Sequence, residues 1–177
     1  VVDYVRWQRA LRKAQQDGKQ LPEMPDIAPL SINLDLTTAC NYACDHCIDW
    51  DILNSKEKHA DDELRASIER MAERGLRSVI LIGGGEPTLY PGFVDFVAFL
   101  KKLSLSVSVV TNGSRGDRIL AAAPHFTKGD WVRLSLDSGS NDVFQRMHAA
   151  GIIDTLGVGL ILGGLIFQAG WSAVTIK

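Results

Sequence analysis

The spacing of apolar residues changes period several times along this chain. Leu30-Ser31-Ile32-Asn33-Leu34-Asp35-Leu36 alternates apolar and polar positions with period two and predicts a strand with one buried face. Ser78 to Ile82 is a short β-branched run and predicts a second strand, and Leu105 to Val110 a third. Trp131 to Asp137 alternates again and predicts a fourth. Between the strands the period becomes helical. Asp61-Asp62-Glu63 opens a helix with acids at its positive end, Leu64, Ile68 and Met71 form its buried stripe, and Gly75 closes it. Pro91 to Lys102 predicts a second helix, with Phe93, Val94, Phe96, Val97 and Leu100 facing the core, and Asp117 to Ala123 a third. Repeated strand–helix units predict an α/β fold whose parallel sheet curls towards a barrel through right-handed crossovers.

The two ends break this rhythm. Val1 to Gln16 reads as an amphipathic helix, stopped by Asp17-Gly18. Pro22, Pro25 and Pro29 then forbid a long helix, so residues 1–29 read as a surface leader and 30–177 as the domain. After Met147-His148 the pattern degrades, and Thr155 to Ile176 contains no charged residue. That stretch has the length of a membrane-spanning helix, about 20 residues. It also suits parallel strands buried on both faces, which lose their alternation. Gln168, the glycines and the lack of flanking anchors favour strands, placed at 157–163 and 172–176. The tail is short for this, which leaves room for further chain beyond residue 177.

Composition narrows the class. The 177 residues, 46% hydrophobic and 23% charged, suffice for a sizeable globular core. A formal charge of −2, with basic and acidic residues interleaved, gives no footprint for nucleic acid. The first residues lack the apolar run of a secretory signal. Cysteine is used three times and only in one cluster, which argues against a disulfide framework and for the reducing cytoplasm.

That cluster, Cys40-Asn41-Tyr42-Ala43-Cys44-Asp45-His46-Cys47, follows directly on the first strand. Three thiolates so close can grip one metal centre from one side, whereas a structural zinc site needs a fourth ligand to close its tetrahedron. Gly83-Gly84-Gly85-Glu86-Pro87 follows the second strand. The C-x3-C-x2-C spacing, with His46 before its last cysteine, and the glycine motif in this order resemble the radical SAM enzymes. The resemblance implies a partial (β/α)6 TIM-like barrel of parallel strands, here preceded by the amino-terminal helix. It also implies a 4Fe–4S cluster on Cys40, Cys44 and Cys47, with the fourth iron taking S-adenosylmethionine. One electron from the cluster would then split the sulfonium to a 5′-deoxyadenosyl radical that abstracts hydrogen from a substrate.

By the same resemblance Gly84, Gly85 and Glu86 take the methionine amino end, and Pro87 stiffens the turn. His46 packs on the adenine or meets it through backbone groups, and Asn112, in Thr111-Asn112-Gly113 after the third strand, contacts the nucleoside. Ser135 and Asp137 share one face of the fourth strand, and one or both bond the ribose or the methionine carboxylate. The expected substrate is a small molecule, such as a sugar, nucleoside or cofactor precursor, and the expected electron donor a low-potential flavodoxin or ferredoxin. Within these 177 residues there is no fourth cysteine to hold an auxiliary cluster or return a hydrogen atom. Two other readings stay open: a non-catalytic iron–sulfur protein that transfers electrons or senses redox state, and a zinc module with His46 or His59 as fourth ligand.

Overall fold

Each of the four runs expected to be a strand forms one, and all four pair in parallel. The computed structural model describes residues 2–55, 59–136 and 139–148. In chain order the elements are α1 (Val2–Gln16), β1 (Ser31–Leu34), α2 (Asp61–Glu73), β2 (Ser78–Leu81), α3 (Phe93–Lys102), β3 (Ser106–Thr111), α4 (Gly116–Ala122), β4 (Trp131–Leu134) and α5 (Asn141–His148). The sheet order is β1-β2-β3-β4. Ser31 stands opposite Ser78, Ser78 opposite Ser106, and Ser108 opposite Trp131. Parallel neighbours cannot be joined by a tight turn, and α2, α3 and α4 supply the crossovers.

The core lies between the sheet and these helices. Val79 and Leu81 of β2 and Val107 and Val109 of β3 meet Ile68 of α2, Phe93, Phe96, Val97 and Leu100 of α3, and Ile119 and Ala122 of α4. The side chains anticipated for the α2 and α3 stripes are there, Ile68 fully enclosed and Leu64, Met71 and Val94 at its margin. Arg65 of α2 lies over the rings of Phe96 and Phe99, 5.1 and 4.8 Å from their centroids, and adds a cation–π contact between the helices. On the other face of the sheet Ser31, Asn33, Trp131 and Arg133 are exposed.

At the amino ends of the strands a polar cluster closes the core. The buried Asp130 carboxylate accepts from Val107 N (2.7 Å) and Thr127 N (2.7 Å) and pairs with Lys101 Nζ at 2.8 Å. Burial alone would push this carboxyl up, but the Lys101 hydrogen bond and the two backbone donors hold it below 3.8.

Three differences from the sequence reading bear on the site. The first strand is shorter than its alternating run, because from Asp35 onwards the chain leaves the sheet for the cysteine loop. The fourth ends at Leu134, although Ser135 N still donates to Thr111 O at 2.8 Å. Helix α5 was not anticipated; Ser140 starts it, its hydroxyl accepting from Val143 N at 3.4 Å. The strands expected at 157–163 and 172–176 lie outside the described residues, as does Asp137. Among the described residues no helix is long and apolar enough to cross a membrane.

Candidate functional site

The four strands deliver their chemistry-bearing residues to one edge of the sheet. The cysteine loop follows β1, the glycine turn follows β2, Asn112 follows β3 and Ser135 follows β4. In parallel α/β folds this carboxyl edge is where ligands bind, since the loops there are free of the sheet's hydrogen-bond ladder.

The cysteine loop is held from two sides. Asn54 N donates to Thr38 O (2.7 Å), Cys40 N donates to Asn54 Oδ1 (3.0 Å), and Thr38 Oγ1 donates to Ser55 O (2.8 Å). Asn54 has φ +56, a left-handed conformation that asparagine tolerates better than branched residues. On the other side, Ala43 N and Asp45 N donate to His148 O (3.0 Å) and Met147 O (3.3 Å). Those carbonyls belong to the last two residues of α5.

The glycine run is required by close packing. A Cβ on Gly85 would fall 2.2 Å from Ala39 O, and one on Gly83 2.5 Å from Asp35 Oδ1. Gly83 and Gly84 also have φ of +91 and +65, in the left-handed region that favours glycine. Glu86 N then donates to Ala39 O at 2.9 Å, which ties the turn to the residue before Cys40. The Glu86 side chain is 3% exposed and turned inwards. Its Oε1 accepts from Thr88 N (3.1 Å), Thr88 Oγ1 (2.6 Å) and Thr111 Oγ1 (2.6 Å), and its Oε2 from Asn112 N (2.7 Å). Asn112 Nδ2 donates in turn to Asn41 Oδ1 at 3.0 Å and lies 4.0 Å from Cys40 Sγ. Ser114 Oγ reaches the same Asn41 oxygen at 3.1 Å.

Cys40, Gly84, Gly85, Glu86, Pro87 and Asn112 are thus joined in one bonded unit, with Ser135 linked to it through Thr111. His46 and His59 are exposed.

All three cysteines are half-buried and unbridged. Burial pushes the Cys40 thiol up, and the charges of Glu86 and Cys47 add to this against the backbone N–H groups of Tyr42 and Asn41. Cys44 Sγ lies 2.9 Å from Nδ1 of His148, whose ring is buried on α5 against Phe144, with centroids 4.2 Å apart. Sequence reasoning missed His148. The residue stands 104 positions from Cys44, and the only local signal was the i, i+4 pairing of Phe144 and His148 after a capping serine.

Among the described residues no three His, Cys, Asp or Glu side chains are gathered as a ready-made ligand set for a metal ion. The donor chemistry nonetheless fits an iron–sulfur cluster: three soft, partly accessible thiols on one loop, of which Cys40 is costly to ionise without added positive charge.

The family model described as "Radical SAM superfamily" matches residues 34–155. A second, "Na+/H+ antiporter subunit", matches residues 139–177, less than half of the chain and mostly outside the described residues. Mycofactocin maturase MftC of Mycobacterium ulcerans is 34% identical over 128 residues, covering 70% of this chain and 33% of that protein. S-adenosylmethionine-dependent nucleotide dehydratase of Selenomonas ruminantium is 33% identical over 113 residues, covering 60% of this chain and 39% of that protein. The chain therefore spans well under half the length of these curated relatives. Among solved structures, TYW1 with a lysine-pyruvate adduct bound matches with a TM-score of 0.59 at 18% identity, over 77% of this chain and 52% of that one. Streptococcus suis SuiB bound to S-adenosylmethionine matches with a TM-score of 0.54 at 19% identity, over 83% of this chain and 31% of that one. At these identities the structural likeness establishes the fold.

Proposed function

Because this chain belongs to the radical SAM superfamily, whose members use a 4Fe–4S cluster and S-adenosylmethionine, we propose that it is an enzyme that starts a radical reaction on a small molecule. Cys40, Cys44 and Cys47 are the residues that would hold the cluster. When bound, the cluster and S-adenosylmethionine supply the one-electron chemistry that removes a hydrogen atom from an unreactive C–H bond.

The residues of the chain orient that pair. Gly84 and Gly85 offer backbone groups to the methionine end. Pro87 keeps the turn rigid. Glu86 works from behind: with its carboxylate engaged by Thr88, Thr111 and Asn112, its part is to hold the glycine turn and the Asn112 loop in one register. Asn112, Ser135 and Asp137 serve the nucleoside and carboxylate side, and His46 the adenine. The observation that carries this reading is the unbroken run of hydrogen bonds from Glu86 through Asn112 to Asn41, inside the cysteine loop. A ligand spanning the loop and the turn meets a preorganised frame.

The substrate is read as a sugar, nucleoside or cofactor precursor; the similarity to a nucleotide dehydratase supports this class. The three unbridged thiols suit the cytoplasm and a low-potential flavodoxin or ferredoxin as electron source. The test is anaerobic reconstitution with iron and sulfide, reduction, and assay of 5′-deoxyadenosine from S-adenosylmethionine. Wild type forms it, and Cys40→Ala, Cys44→Ala and Cys47→Ala do not. A protein that binds a cluster yet never cleaves the cofactor is instead an electron-transfer or redox-sensing protein, and one that takes up only zinc removes the proposal.

A further inference from the structure

We propose that His148 is a positioning residue for Cys44: its imidazole hydrogen-bonds the Cys44 sulfur and, by donating to that sulfur, raises the reduction potential of the cluster it helps to hold. The ring is buried beside Cys44 and held there by packing. His148 is 3% exposed, and Nδ1 stands 2.9 Å from Cys44 Sγ. The ring packs on Phe144 at 4.2 Å and meets Tyr42 at 5.8 Å and His46 at 5.5 Å between centroids.

The backbone holds the same arrangement from the other side. The last carbonyls of α5 accept Ala43 N and Asp45 N, the two residues flanking Cys44. These two bonds tie the helix end to the middle of the loop, on either side of the residue that the ring contacts. A hydrogen bond donated to a ligating sulfur draws off negative charge and favours the reduced, more negative cluster. Cys40 has a more distant donor, with Asn112 Nδ2 at 4.0 Å, so these two sulfurs are held unequally.

The second half of this inference rests on the reading of Cys44 as a cluster ligand, and the first half does not. The first experiment uses metal-free protein and NMR of the His148 ring. Cys44→Ala is expected to shift its signals, and Cys47→Ala to leave them in place; His148 signals indifferent to Cys44→Ala overturn the contact. The second compares midpoint potentials of the reconstituted cluster at equal iron content. His148→Phe keeps the ring packing without the nitrogen and is expected to move the potential to more negative values. His148→Asn, which restores an N–H near Nδ1, is expected to recover a substantial part of that shift. Equal potentials in wild type and His148→Phe overturn the tuning role. If no variant and no wild-type sample accepts a cluster, the family reading of the loop fails, while the NMR comparison still decides whether His148 holds Cys44.

Discussion

Of the three glycines in the turn, Gly85 leaves the least room for a side chain. An alanine there puts its methyl group 2.2 Å from Ala39 O and 2.6 Å from Ala39 C, both backbone atoms that cannot swing aside. The lead-in to Cys40 must shift, and a misplacement of about 1 Å at a binding frame is enough to lose orders of magnitude in rate. Gly85→Ala is therefore expected to lower the iron bound per chain after reconstitution and to weaken S-adenosylmethionine binding. Gly139→Ala, where nothing lies within 4 Å of the new methyl, serves as the control and should match wild type in both. Equal iron content in the two variants would show that the loop adapts and that close packing at Gly85 is unimportant. From the sequence alone the glycines read as room for a ligand; the structure adds that the first neighbour using that room is the protein itself.

Glu86 acts on elements. Its carboxylate joins the turn after β2 to Thr111 at the end of β3 and to Asn112 beyond it. In Glu86→Gln one oxygen becomes an NH2 group. If it stands where Oε2 does, it faces the Asn112 N–H, donor against donor, in a buried place. Loss of one such partner costs about 1–3 kcal/mol. Urea denaturation should register that loss, and calorimetry should find weaker S-adenosylmethionine binding because Asn112 and its bond to Asn41 go with it. A variant as stable as wild type with unchanged affinity would show that the cross-strand tie is dispensable. The strands and the first helices were legible in the sequence because their burial is periodic and local. Helix α5 was not, since its meaning lies in which loop its last carbonyls meet.

At the scale of the molecule, the two ends of the sheet divide the work. The carboxyl edge carries the cysteines, the glycine turn and Asn112; the amino edge carries the buried pair of Lys101 and Asp130. Because the Asp130 carboxyl lies below its ordinary value of 3.8 in the folded protein, it contributes stability that is present above that value. The contribution is lost as pH falls through the lower folded value. Asp130→Asn leaves Lys101, whose side chain is largely buried beside it, without its counter-charge, a loss on the order of 3 kcal/mol near neutral pH. Thermal denaturation followed from about pH 7 down to about pH 2 should show the gap between wild type and variant narrowing towards the acid end. A gap that stays constant with pH would mean that the carboxylate charge plays no part.

What the sequence determined by itself is the parallel strand–helix order, the placing of the cysteine loop after β1 and of the glycine turn after β2, and the family to which these motifs point. All of that is encoded in local periodicity and short spacings, which survive without three-dimensional contact. What only the tertiary structure decided is how the pieces meet: Glu86 turned inwards to Thr111 and Asn112, Ala39 filling the space at Gly85, and His148 brought to Cys44 across 104 residues. Such contacts depend on which helix end packs on which loop, and no repeat along the chain records that.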